Sequence, residues 1–172
     1  MSSPPAASPA FDAIDWETWE PDLHATLLFV VRDGRILLID KKRGLGAGKL
    51  NGAGGKLDPG ETPHEAAVRE FEEELGVRPI DPIQLGRLAF AVTEGDSIMI
   101  HVFRSDDVRG IPIETDEAAP VWAPVDDIPY DRMWADDRYW LPLVIERRTF
   151  EARTLFDGDR LLGFSIDPDC TP

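Results

Sequence analysis

Two apolar runs, His24 to Val31 and Ile36 to Asp40, flank Asp33-Gly34, a dipeptide suited to a tight hairpin turn. A second pair, Leu85 to Val92 and Ser97 to Phe103, flanks Glu94-Gly95-Asp96 and predicts another hairpin. Between the pairs Ala67, Phe71 and Leu75 recur every four residues with Val68 alongside, which is the apolar face of a helix. The helix is bounded at both ends. Thr62-Pro63-His64-Glu65 forms a capping box with proline in the first turn, and Gly76 with Pro79 just beyond supplies a stop. Farther on, Val121 to Val125 reads as a short strand. Asp137 to Arg148 reads as a helix with Tyr139, Leu143 and Val144 on its apolar side. Two last strands are expected near Thr149–Phe156 and Leu161–Ile166. Strands and two helices in this order indicate a mixed α/β domain, and no internal repeat is visible.

Residues 1–20 break this pattern. The first ten are rich in Ser, Pro and Ala and read as disordered; the acidic stretch after them carries Trp16 and Trp19 and is suited to docking on the domain. Residues 21–172 are long enough for one core, with 42% of the 172-residue chain hydrophobic. No apolar run approaches the ~18 residues of a membrane span, and the N-terminus lacks the basic start and apolar centre of a signal peptide. Cys170 is the only cysteine, which leaves no disulfide or Cys-based zinc site and points to a reducing, cytoplasmic setting. A formal charge of −15 repels polymeric nucleic acid. A small phosphorylated substrate is compatible with it where metal ions supply positive charge, and a monomer is expected.

Glu70, Glu73 and Glu74 are related by i,i+3 and i,i+4 and share a face beside the apolar stripe, with Arg69 one turn before Glu73. A solvated surface is the plain reading of such a run. Two costs oppose it: like charges at i,i+4 destabilise a helix by roughly 0.2–0.5 kcal/mol, and the last turn prefers cations by about 0.3–1 kcal/mol. A divalent cation is the partner that would offset both. The glycine-rich loop from Gly44 to Gly55 is no P-loop, since Lys49 and Lys56 are each followed by Leu. Nor is it a dinucleotide fingerprint, because Lys49 stands where the third glycine belongs.

The run from Gly55 to Val77, GKLDPGETPHEAAVREFEEELGV, resembles the Nudix box. Gly55, Glu61, Arg69, Glu70, Phe71, Glu73, Glu74, Gly76 and Val77 fill every defined position of that pattern. The resemblance implies a Nudix fold, a mixed β-sheet sandwiched between helices. It also implies hydrolysis of a nucleoside diphosphate linked to another group. Mg²⁺ is the implied cofactor, with Mn²⁺ as a substitute ion, held by Glu70, Glu73, Glu74 and the Gly55 carbonyl. Arg69 and Glu61 would hold loop and helix together.

From Lys41 to Ile166 the chain further resembles the oxidised-purine nucleoside triphosphatases of the MutT type, through KKRGLGAGKLNGAGGKLDPGET, HVFRSDDVRG, ETDE and DDIPYDRMWADDRYWLPL. That resemblance implies that Asn51, Asp136 and Asp137 bond the purine, that Trp134 stacks on it, that Phe90 lines the pocket with Lys41 nearby, and that Glu117 stands close to the metal. Glu70 or Glu117 would be the base. Read alone, Trp134 and Phe90 are ordinary core aromatics and Asp136-Asp137 is a helix cap. Two acids in one partly buried pocket push one pKa up, so one donates while the other accepts. Leu45, Leu50 and Ala53 replace aromatic residues of the family pattern, which leaves the base preference open. Nudix action on ADP-ribose, a dinucleoside polyphosphate or an RNA cap is the alternative reading. A non-catalytic sensor is disfavoured because no box carboxylate is missing. His24, His64 and His101 are assigned no chemistry.

Overall fold

The computed structural model describes residues 3–171 of the chain. The first hairpin joins β1 (Leu23–Arg32) to β2 (Arg35–Lys41), with Val31 opposite Ile36. Its turn residues Asp33 and Gly34 both have positive φ, +50° and +69°, as a primed turn between right-twisted strands requires. The second hairpin pairs β5 (Ile83–Val92) with β6 (Ile98–Ser105). The last pairs β9 (Phe150–Asp157) with β10 (Arg160–Pro168). All three follow local signals.

Their assembly does not. β1 lies parallel to β6, and β5 lies parallel to β9, giving the order β10-β9-β5-β6-β1-β2-β3, where β3 is Leu50–Asn51. β8 (Ala118–Pro124) pairs with β2, so the strand expected at 121–125 starts three residues earlier. β4 (Arg78–Pro79) and β7 (Val108–Arg109) form a separate two-stranded ribbon.

Helices cover both faces. On one, α2 (Pro63–Leu75) buries Ala67, Phe71 and Leu75 against Leu28, Val30, Leu37 and Phe103. The capping box is complete: Glu65 N donates to Thr62 Oγ1 at 3.2 Å and Thr62 N donates to Glu65 Oε2 at 2.9 Å. Gly76 closes the helix with φ +68°. On the opposite face, α3 (Asp137–Ile145) packs Trp140, Leu141 and Val144 against Phe29, Leu88 and Phe150. This departs from the expected apolar side of Tyr139, Leu143 and Val144. The buried stripe is instead Asp137, Trp140, Leu141 and Val144, spaced i, i+3, i+4, i+7, while Tyr139 and Leu143 only border the core. The helix also stops at Ile145 rather than Arg148.

Of the ten residues expected to be disordered, the first two lie outside the described residues, and from Ser8 onward the extension differs from that expectation. Ser8 N donates to Leu162 O at 2.9 Å, and Ser8 caps α1 (Pro9–Asp12). Phe11 is 6% exposed and seated over Gly163, where a Cβ would lie 2.3 Å from Phe11 Cγ. Phe11, Trp16 and Trp19 stack in succession at 5.2 and 5.9 Å and cover Ala91 and Leu155. Ala91 and Arg87 alternate with Leu88 and Phe90, so this aromatic group lies on the face that carries α2. It covers the β5–β9 half, which α2 does not reach. An aromatic every few residues outweighs the disorder-prone composition around it, because each ring removes on the order of 150–250 Å² from water.

Candidate active site

A cavity of about 380 Å³ runs along the sheet between β1, β5 and β6 on one side and the 43–56 loop, the end of α2 and the start of α3 on the other. Its two ends differ in chemistry.

At one end α2 and the start of β8 bring Glu70, Glu74 and Glu117 together, with one carboxylate oxygen of each within 4.8 Å of the others. Helix geometry explains the choice. At about 100° per residue, Glu74 is only about 40° from Glu70, whereas Glu73 lies about 60° away on the opposite side. Glu74 therefore falls in the buried arc with Phe71 and Leu75 and is 3% exposed. Glu73 is half exposed and contacts Arg69 at 3.4 Å. The structure does not bring Glu73 into the cluster, contrary to the expected common face. Burial pushes the Glu74 carboxyl up to about 8, with the Lys41 charge as the main opposing influence. Glu70 is raised as well, by burial, against the hydrogen bond it accepts from Arg69.

Arg69 organises this end. Its guanidinium donates to both oxygens of Glu61, at 2.7 and 2.9 Å, to Glu70 Oε1 at 2.9 Å, and to the Lys56 carbonyl at 3.1 Å. The fork on Glu61 holds that carboxyl down at about 2 and ties the loop to the helix. Gly54 N donates to Glu74 Oε1 at 3.3 Å, and Gly55 O accepts from Thr26 N at 2.9 Å. A Cβ on Gly55 would come within 2.4 Å of Glu70 Cδ, and one on Gly54 within 1.7 Å of the Thr26 carbonyl. Only glycine lets the backbone lie this close to the carboxylates.

This donor set fits a divalent cation. The ligand atoms are hard oxygens. Glu74 Oε2 is buried without a hydrogen-bond partner among the described residues, which is costly unless something positive faces it. Gly55 lies against Glu70, and its carbonyl, which accepts one bond from Thr26 N, carries a second lone pair.

The other end is aromatic and carboxylic. Phe90 stacks on Phe156 at 5.1 Å, and Trp134 stands edge-on to both at 5.3 and 5.2 Å. Lys49 lies over the Trp134 ring at 5.2 Å. Asp136 and Asp137 are 1% and 2% exposed. Asp136 Oδ2 accepts from Trp140 Nε1 at 3.0 Å, but Asp136 Oδ1 and Asp137 Oδ2 have no partner among the described residues. Asp136 occupies the cap position of α3 without any side-chain capping bond, so the cap reading fails. Burial raises Asp136 to about 6; burial and the charge of Asp136 raise Asp137 well above the carboxylate range. Two acids buried side by side titrate as a pair, and both line the cavity.

Asn51 also lines the cavity, with its Oδ1 accepting from Gly52 N at 2.8 Å. Lys41 lies in the cavity wall, and its charge acts on Glu74. Phe156, Trp140 and Lys49 join the site without a motif that singles them out. Trp140 is the most legible of them, since it follows Asp136 by four residues on a helix. The histidines are not among the residues lining the cavity, and His24 Nδ1 and His101 Nε2 lie 3.1 Å apart between the neighbouring strands β1 and β6.

A mixed sheet with a glycine-gated, carboxylate-bearing helix at one edge defines a class of hydrolase. The NUDIX domain family model matches residues 22–144, and the chain belongs to this family, the Nudix hydrolases. Among its relatives, the oxidized purine nucleoside triphosphate hydrolase of Danio rerio is 44% identical over 134 residues, 77% of this chain and 86% of the relative. The protein of the same name from Mus musculus is 39% identical over 143 residues, 82% and 92% of the two chains. The crystal structure of a MutT protein from Bacillus halodurans superposes with a TM-score of 0.76 at 24% identity, covering 84% of this chain and 97% of that one. No helix of the described residues is long and apolar enough to cross a membrane.

Proposed function

We propose that the protein hydrolyses oxidised purine nucleoside triphosphates of the 8-oxo-dGTP type to the nucleoside monophosphate and pyrophosphate, with Mg²⁺ as its cofactor, and so cleanses the nucleotide pool. One observation carries this reading: a buried Asp136–Asp137 pair with unpartnered oxygens lies in the same cavity as the Glu70, Glu74 and Glu117 carboxylates. The fish and mouse relatives, named for this activity and matched over most of their length, support it.

Glu70, Glu74, Glu117 and the Gly55 carbonyl would hold the ion, with Glu73 able to join from the outer side of the helix. When bound, Mg²⁺ supplies positive charge that offsets the triphosphate and polarises its phosphoryl oxygens. The protein does the rest. Phe90 and Trp134 bound the space of a flat ring, while Asp136, Asp137 and Asn51 offer donors and acceptors to its edge. An 8-oxo-purine carries N7 as a donor where the normal base has an acceptor, and a carboxylate matches that change. Water adds to a phosphorus and the bond to pyrophosphate breaks, with Glu70 or Glu117 taking the water proton. Arg69 keeps Glu70 in place for either task.

The test is to incubate the protein with Mg²⁺ and a set of nucleotides (8-oxo-dGTP, 2-hydroxy-dATP, dGTP, CTP and ADP-ribose) and to identify the products. The expected result is preferential turnover of the oxidised purines with pyrophosphate release. Preference for CTP or ADP-ribose would overturn the substrate assignment.

A further inference from the structure

Arg43 lines the cavity and is paired with one of the three clustered carboxylates. Its Nη2 donates to Glu117 Oε1 at 2.7 Å. Backbone pairing brings the two together: Lys42 N donates to Glu117 O at 3.0 Å, and Lys41 lies opposite Ala118 across β2 and β8. The adjacent Lys42 is turned away and occupied, with Nζ on the Thr115 carbonyl at 2.7 Å and on Glu114 at 2.7 Å. Arg43 lines the cavity beside Gly44 and Leu45, and its side chain is largely exposed. A guanidinium carries five N–H donors, and Glu117 is the one group that Arg43 bonds among the described residues.

Glu117 thus has two claimants. It is one of the three clustered carboxylates, and one of its oxygens is engaged by a cation from the protein itself. A carboxylate oxygen committed to a guanidinium is a poorer metal ligand, because the two positive charges repel across it. A triphosphate whose base lies at the Asp136–Asp137 end and whose phosphates reach the carboxylates shares the cavity that Arg43 lines. We infer that Arg43 is a switching phosphate clamp: it holds Glu117 in the free protein and turns its donors to the substrate's phosphate chain once Glu117 takes up the divalent ion. This inference rests on the proposed function, specifically on Glu117 as a ligand.

The test measures Mn²⁺ affinity without nucleotide, by electron paramagnetic resonance, in the full-length protein and in Arg43→Ala, Glu117→Gln, their double variant and Glu74→Gln. Competition predicts that Arg43→Ala tightens Mn²⁺ binding, by roughly 2- to 5-fold for a partly exposed ion pair, and that this gain vanishes in the Glu117→Gln background. A gain that persists there reflects long-range charge only and overturns the latch; so does no gain at all. Glu74→Gln separates the two levels, since unchanged Mn²⁺ affinity in that variant would defeat the metal-site reading itself. For the clamp, the Michaelis constant for the oxidised triphosphate at saturating Mn²⁺ should rise about 10-fold in Arg43→Ala, the low end for a bond to a charged group, with partial recovery in Arg43→Lys. Binding of the nucleoside 8-oxo-deoxyguanosine should not change. An equal loss of nucleoside binding would show that Arg43 merely orders the 43–48 loop and would overturn the clamp.

Discussion

Asp137→Asn is the sharpest perturbation of the recognition end, because it alters charge and proton count while keeping shape. In the native protein, burial raises both acids above their ordinary values. The folded state therefore holds protons that the unfolded chain releases near pH 4. Stability from this source is complete below about pH 4 and is lost as pH rises through the folded values. For Asp136, a move from 3.8 to about 6 at about 1.4 kcal/mol per unit is on the order of 3 kcal/mol by pH 8. Asp137 is displaced in the same direction, by its burial and by the charge of Asp136. Removing its carboxyl abolishes that second loss and also relieves Asp136 of a like charge. The variant's melting temperature should thus fall less steeply than the native one between pH 4 and pH 8, each ~1 kcal/mol being worth about 2–4 °C in a domain of this size. The constant cost of burying the amide cancels in that difference. Recognition moves the other way. An amide cannot exchange donor for acceptor, and a lost bond to a charged group costs roughly 1.5–3 kcal/mol, or about 10- to 150-fold. The same variant should lose that much kcat/KM on 8-oxo-dGTP and far less on dGTP. The assay pairs scanning calorimetry across pH with initial rates on both nucleotides. Identical pH slopes, or equal losses on the two substrates, would refute the proton-sharing pair.

Two further outcomes are expected. Glu74→Gln should lower Mg²⁺-dependent turnover by at least about 10²-fold and abolish the rise in melting temperature that Mg²⁺ gives the native protein, whereas Glu73→Gln, outside the cluster, should cost less; equal losses would show that the cluster does not distinguish the two. Phe11→Ala, read by denaturant unfolding, should cost about 3 kcal/mol with kcat on 8-oxo-dGTP unchanged, and a loss under about 0.5 kcal/mol would mean that α1 is not seated on β10.

The elements closed by local signals were legible from residues alone. Thr62, Glu65 and Gly76 bound α2, and Asp33-Gly34 turns β1 into β2, because caps and primed turns are satisfied within a few residues. The spacing also located the acidic residues that make the site. It could not rank them. Glu70, Glu73 and Glu74 look equivalent in sequence, and only the docking of α2 on β1 buries Glu74 while leaving Glu73 in water. Asp136-Asp137 reads as a cap until α3 presents Asp137 and Trp140 inward, after which burial gives both acids unusual proton affinity. The seat of Phe11 is not legible locally because its partners, Ala91, Leu155 and Gly163, lie far along the chain. The Arg43–Glu117 pair spans 74 residues and exists because β8 pairs with β2. The chain's own order determined where helices and turns begin and which residue types are available for chemistry. Desolvation and charge proximity depend on contacts between distant segments, so the tertiary structure decided which of those residues are buried, paired or free to act.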